Sequence, residues 1–237
     1  MARPSYDKLE KRVGYKFRNQ HLLTEALTHS SYAQEVSRPT RDNELMEFLG
    51  DAVLNFAVTL RLIEAFPEYD EGKLSLARSC LVAANYLQGV AADLGLGEYL
   101  LLGSAEEKSG GRKKAGIVVD ALEALLAAVY RDGGLEAARR FVEKVVLPPD
   151  LSERVGELFS TNYKGALQEY LQAGRQGPAQ YRVVEEGGLE HQKTFVVEVK
   201  AGGKVVARGR GASKKAAQQQ AAKRALAILT RKAEADG

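Results

Sequence analysis

The chain has 237 residues, 45% of them hydrophobic, with a net charge of +3 and one cysteine. That length allows one large or two modest domains with a real core, and the lone Cys80 excludes an intrachain disulfide framework and fits a reducing compartment. No apolar run approaches the roughly 18–20 residues that span a bilayer, and no signal-peptide core opens the chain, so a soluble, cytoplasmic protein without membrane association is expected.

Charge is unevenly spread. From Thr161 onward there are 14 Lys+Arg against 7 Asp+Glu, whereas the first 160 residues hold 20 against 24. A basic rear half that recruits a polyanion and an acidic front half that holds cations follow from this split. His21, His29 and His191 lie too far apart for a zinc-type ligand spacing.

In chain order, Tyr6 to Ala33 carries two helical stretches, spaced by Leu9, Val13 and Phe17 and then by Leu22, Leu23, Ala26 and Leu27. The second ends near Thr28-His29-Ser30-Ser31. A polar loop containing Pro39 leads to a helix from Asn43 toward Ala65. After the loop PEYDEG, Leu74 to Gly89 is helical, and Leu94 to Gly103 is a short helix or turn. Glu106 to Ala115, charged and Gly-rich, reads as a mobile surface loop. Further helices follow from about Gly116 to Arg131 and from Leu135 to Val146, the latter stopped by Pro148-Pro149.

Two of these helices carry the chemistry. In NELMEFLGDAVLNF, Glu44, Glu47 and Asp51 share one face at spacings of three and four, and apolar residues fill most of the remaining surface. No Lys or Arg lies between Asp42 and Leu60. In IVVDALEALLAAVY, Asp120 and Glu123 repeat the pattern without another charge in the run. Two largely buried helices with uncompensated carboxylate pairs, meeting face to face, make an all-oxygen site suited to Mg²⁺ or Mn²⁺. Pairing of each acid with a distant Arg or Lys is the competing reading of the same residues.

The rear segment reads α-β-β-β-α. Tyr163 to Ala173 is a helix, Gln180 to Glu186, Thr194 to Val199 and Val205 to Arg210 are strands, and Ser213, a good N-cap, opens an Ala-rich helix to Leu229. Gly209, Gly211, Lys214 and Lys215 gather at its start, where backbone N–H groups and lysines suit phosphates. The expected organisation is an all-α domain over 1–156, a linker over 157–160, and a small α+β domain over 161–231.

These motifs, in this order, resemble ribonuclease III, the family of double-stranded-RNA endonucleases. NELMEFLGDAVL is similar to the family signature. LEKRVGYKFRNQHLLTEALTHSSY, DEGKLS, LGSAEEKSGG and DALEALLAAVY match further segments, and YKGALQEYLQ, GLEH and GRGASKKAAQQQAA resemble a double-stranded RNA-binding domain. The departures are Leu45 for a usual Arg, Val119 for Ala, Leu189 for Pro and Gln218 for Glu.

The resemblance implies metal binding by Glu47, Asp51, Asp120 and Glu123, with Asp51 and Glu123 catalytic and Glu44 and Glu71 as accessory acids. It implies Mg²⁺, with Mn²⁺ as a substitute and no organic cofactor, and a homodimer with one site per strand. The products would be 5′-phosphate and 3′-hydroxyl ends with a short 3′ overhang, and the substrates rRNA precursors, mRNA and other structured RNA. Gln168, Glu169 and Gln172 would meet one minor groove, His191 the next, and Lys214, Lys215 and Lys223 the phosphates. Arg112, Lys113 and Lys114 are candidates for added RNA contacts near the active site. Two other readings are a double-stranded-RNA binding factor with a silent nuclease fold, and a helical metal-dependent hydrolase of small phosphates.

Overall fold

Three short helices open the chain: α1 (Asp7–Val13), α2 (Gln20–Ala26) and α3 (Ser30–Glu35). The computed structural model describes residues 6–37, 39–160, 162–174, 176–187 and 193–235, and the chain divides into two compact units, 1–152 and 153–237. None of its described helices is long and apolar enough to cross a membrane. The third helix is a finding beyond the periodicity argument. Its single turn starts where His29 accepts a hydrogen bond from the Ser31 N–H, a local cap that apolar spacing does not register.

In the first unit, α4 (Glu44–Ala65), α5 (Glu71–Leu81) and α6 (Ala84–Asp93) precede a 3₁₀ turn over Leu96–Tyr99. The short α7 (Ser104–Lys108) follows, and then α8 (Ala115–Phe141), which is the centre of the unit. From Val118 to Val129 every residue of α8 is buried except Asp120 and Glu123, and α2, α4 and α6 pack around it. A helix apolar on all sides belongs in a core, and each fully buried Leu, such as Leu122 and Leu125, contributes about 1.5–3 kcal/mol. Gly134 leaves helical geometry inside α8 at φ 75°, ψ −175°, which is why the sequence divides into two helices there.

The packing of α4 on α8 depends on Gly50. A Cβ at this position would lie 1.9 Å from the Glu123 carbonyl oxygen, so the two helices approach with backbone against backbone. Upstream, Asn43 is buried and pins the start of α4. Its N–H donates to the Thr28 carbonyl at 2.9 Å, and its side-chain amide reaches the Ala26 carbonyl.

The expectation of a largely buried α4 is corrected. Leu45 is 78% exposed, Phe48 80% and Phe56 50%, with Ala52 also exposed between them. Apolar residues flank the acidic stripe on both sides, but α8 covers one side alone. The periodicity identifies an apolar face without saying whether the same chain covers it.

The stretch expected as a loop over Glu106 to Ala115 instead forms the end of α7 and a 3₁₀ turn over Gly111–Lys113, and its charges pair with one another. Arg112 makes a two-pronged ion pair with Glu107 at 2.6–2.7 Å, and its guanidinium also donates to the carbonyls of Gly97 and Glu98. Lys114 bonds to Glu106 at 2.6 Å and to Ser109. The alternating charges that read as a solvated loop are internal partners.

In the second unit, α9 (Leu151–Ser160) runs across the unit boundary and contains residues 157–160, the expected linker. It is followed by α10 (Tyr163–Ala173), β1 (Gln180–Gly187), β2 (Thr194–Ala201), β3 (Lys204–Gly211) and α11 (Lys214–Ala235). The sheet is antiparallel in the order β1-β2-β3. Phe195, Val197, Val199 and Ala201 of β2 meet Leu167 and Leu171 of α10 and Ala217, Ala221, Ala222 and Ala225 of α11. Gly209 and Gly211 serve this packing, because a Cβ on either would strike the backbone of α11 near Ala217 and Ala221. Small residues on both sides let helix and strand close to backbone contact, and that accounts for the glycines singled out at this helix start.

Candidate active site

The acids lie where α4 crosses α8. Glu47 is half-buried, Asp51 and Glu44 are exposed, and Asp120 and Glu123 are half-buried on α8. Burial raises the Glu123 carboxyl from its ordinary value of 4.5, and the negative charges of Asp51, Glu47 and Asp120 raise it further, to about 7. Burial also raises Glu47, with Asp120, Glu44 and Asp51 acting in the same direction. Asp120 is raised by burial and partly relieved by His29. The four carboxylates thus act on one another across the helix pair.

Among the described residues, none of the four forms an ion pair with Lys or Arg. Arg131 is 3.8 Å from Glu25, and Arg139 bonds Glu64 at 2.9 Å, toward the far end of α4. Asp51 accepts one hydrogen bond, from the Asn55 side chain at 2.8 Å. Among the described residues, no group of three or more His, Cys, Asp or Glu side chains is drawn into ligating geometry. Four carboxylates without a counter-ion repel each other, and oxygen donors of this kind fit a hard divalent cation. Glu44 enters this field through Glu47. Glu71 stands apart at the start of α5, where it accepts from the Ser75 hydroxyl at 2.9 Å.

In the second unit, Gln168, Glu169 and Gln172 lie on α10. The Gln168 side-chain oxygen accepts from the Ala179 N–H at 3.2 Å, so part of its amide anchors the segment entering β1. Glu169 and Gln172 are exposed. Ser213 caps α11 through the Ala216 N–H. Beside it, Lys214 stands 3.7 Å from Glu186 and 5.5 Å from the Phe195 ring centre, and Lys215 is exposed. Lys223 rests over the Tyr163 ring at 4.9 Å, a placement that fixes the stem of the side chain while leaving its charge available. His191 and Leu189 lie outside the described residues.

The comparisons agree with this two-part arrangement. Residues 19–150 match the family model described as Ribonuclease-III-like, and residues 163–229 match the double-stranded RNA binding motif. The Ribonuclease 3 of Solibacter usitatus is 48% identical over 226 residues, covering 91% of this chain and 83% of that protein. The chain belongs to the ribonuclease III family. The Ribonuclease 3 of Syntrophobacter fumaroxidans, 46% identical, shares 93% of each length. Among solved structures, the nuclease domain of ribonuclease III from Campylobacter jejuni superposes with a TM-score of 0.56 at 37% identity. It covers 60% of this chain and 96% of that one, and it is described there with structural flexibility in a region involved in dimer formation. A helical ribonuclease III domain followed by a double-stranded RNA-binding domain is therefore the architecture of the chain.

Within this ribonuclease III frame, three features of the site escaped the sequence. Gly50 sets the approach of the helices, Asn55 bonds Asp51 from the next turn, and His29 lies within electrostatic reach of Asp120 although it is far away in the chain. The Asn55 contact follows the i, i+4 rule and could have been read. The electrostatic effect of His29 on Asp120 is tertiary and left no local trace.

The raised carboxyls give a pH prediction. Folded Glu123 binds its proton up to about pH 7, whereas the unfolded chain releases it near the ordinary 4.5. This contribution to stability is complete below about 4.5 and is lost as pH rises through 7, and Glu47 and Asp120 add in the same sense. The lowered carboxyls of Glu35, Glu106, Glu107 and Asp132 have finished acting above the ordinary carboxylate range. In EDTA, calorimetry should therefore show Tm falling between pH 5 and 7.5, with a flatter slope for Glu123→Gln.

Proposed function

We propose that the protein is a divalent-metal-dependent endoribonuclease that hydrolyses phosphodiester bonds of double-stranded RNA, leaving 5′-phosphate and 3′-hydroxyl ends. The observation that carries this reading is Glu123, pushed up to about 7 by burial and by three other carboxylates. An arrangement of that cost is maintained for a cation. Glu47, Asp51, Asp120 and Glu123 would hold Mg²⁺, with Mn²⁺ as a substitute. When bound, such ions lower the pKa of a water molecule and neutralise charge at phosphorus.

The protein's own contribution is placement. Gly50 brings Asp51 and Glu47 against Asp120 and Glu123, and Asn55 fixes one Asp51 oxygen. Burial of α8 keeps its two acids from swinging into solvent. The RNA-binding domain supplies the duplex: Gln168, Glu169 and Gln172 toward a minor groove, with His191 on the following one, and Lys214, Lys215 and Lys223 along the phosphates. Such domains read shape over about 16 base pairs rather than sequence. Glu44 and Glu71 stand as accessory acids that shape the substrate path. rRNA precursors, mRNA and other structured RNAs are substrates of matching form, and the cytoplasm is the matching compartment.

The exposed residues Leu45, Phe48, Ala52 and Phe56 recur at spacings of three and four, one position beyond Glu44, Glu47 and Asp51. The apolar stripe therefore borders the acidic one. A two-fold homodimer through this stripe buries it and sets one acid set beside each strand of a duplex. Placing a charge at its centre with Phe48→Asp should convert the dimer to monomer at micromolar concentration in analytical ultracentrifugation, with paired cuts lost.

The activity itself is tested with an end-labelled duplex and its separated strands. Cleavage of the duplex alone in Mg²⁺, stopped by EDTA and restored by excess Mg²⁺, is the expected result. A protein that shifts the duplex in a gel without cutting it would be a binding factor instead.

A further inference from the structure

Lys164 joins the start of α10 to α11. Its backbone N–H donates to the Gln219 side-chain oxygen at 3.0 Å, and its Nζ donates to the Gln218 side-chain oxygen at 2.9 Å. The same Nζ stands 4.7 Å from the centre of the Tyr181 ring, and that ring packs against the core of the unit. The side chain is therefore held, half-buried, at the seam between the two helices. On α11, Lys215, Gln219 and Lys223 recur at a spacing of four and share one side of the helix. Gln219 meets Lys164, and Lys223 rests over the Tyr163 ring, so this side faces the start of α10. Lys215, Lys164 and Lys223 thus follow one another along about 12 Å of α11.

The charges along this row are uncompensated. Lys214 stands 3.7 Å from Glu186, but among the described residues none of Lys164, Lys215 and Lys223 is paired with a carboxylate. The partners of the Lys164 ammonium are a neutral amide oxygen and an aromatic face. Gln218 takes one of its three N–H donors. A joint between two helices needs a donor and not a charge, and a cation drawn partly out of water without an opposite charge costs free energy. An anion from outside the protein would complete the arrangement. We infer that Lys164 is a further phosphate contact for double-stranded RNA, in a row with Lys215 and Lys223, and that the neutral side chain at 218 leaves its charge to the duplex. The inference rests on the RNA-binding reading given above.

Salt dependence separates a phosphate contact from a joint between helices. Binding of the full chain to an RNA duplex in EDTA, followed by fluorescence anisotropy from about 50 to 200 mM salt, gives a slope of log K against log salt that grows with the number of phosphates neutralised. Lys164→Met keeps the stem over Tyr181 and loses the charge. It should make the slope shallower by about 1 and weaken binding equally for duplexes of different sequence, whereas Lys164→Arg should keep the wild-type slope. Gln218→Glu leaves the lysine in place and gives it a carboxylate within the protein. It should make the slope shallower by a similar amount while its Tm stays at or above that of wild type, a combination that a purely structural joint would not give. An unchanged slope for Lys164→Met, with its fold intact by thermal melting, overturns the inference. Where Lys164→Met does not fold, an unchanged slope for Gln218→Glu overturns it. Wild-type protein that binds the duplex without salt dependence, or not at all, would instead remove the RNA-binding reading, and this inference with it.

Discussion

Glu123→Gln should abolish cleavage, by about three orders of magnitude or more in single-turnover rate, while leaving the affinity for a duplex within about twofold. The substitution keeps the shape of the side chain and its place opposite Gly50. It removes the charge that Asp51, Glu47 and Asp120 work against. The residues proposed to bind RNA lie in the other compact unit, so a gel-shift assay in Ca²⁺ or EDTA should not register the change. The same substitution relieves repulsion, so the variant should melt higher than wild type in EDTA at pH 7.5. A variant that is inactive because it is misfolded would melt lower, and that contrast separates lost chemistry from lost structure. Near-normal cutting by Glu123→Gln in Mg²⁺ would remove Glu123 from the site.

Gly50→Val should cost most of the stability of the nuclease unit. The first atom of any side chain there meets the Glu123 carbonyl at 1.9 Å, a backbone atom in the buried part of α8. Replacing a helix-interior glycine ordinarily gains up to about 1 kcal/mol in propensity. Overpacking against backbone costs typically about 1–3 kcal/mol and occasionally more, so the clash wins even for Gly50→Ala, and by more for Val. Where the protein survives, α4 must move away from α8, which separates Glu47 and Asp51 from Asp120 and Glu123. Gly50→Ala is therefore expected to lose several degrees of Tm, and activity out of proportion to the fraction unfolded, measured by melting and cleavage on the same sample. Unchanged Tm and rate would mean that the helices do not meet at this glycine.

Much of this site is legible from the residues alone, because its logic is local. Carboxylates at helical spacing, apolar neighbours and missing counter-ions are all visible within fourteen residues, twice over. The strand alternation of the second unit and the Ser213 cap are local in the same way. What stays hidden is whatever depends on a partner distant in the chain. The exposed side of α4 carries the same residue types as its buried side, so Phe48 and Val53 look alike until α8 is seen to cover one of them. Arg112 and Lys114 look solvent-directed until Glu106, Glu107 and two carbonyls are found around them. Gly209 and Gly211 suggest a phosphate cradle until the backbone of α11 fills the space beside them.

Asp120 and Glu123 are separated on α8 by Ala121 and Leu122, at most 1% exposed. Adding or deleting one residue between them would turn one carboxylate by about 100° about the helix axis and carry an acid into the core. A chain that keeps both acids on one face of α8 must therefore keep its length along this stretch. The helix at the centre of the unit thus fixes a four-residue ruler that sequence drift can re-letter but not stretch.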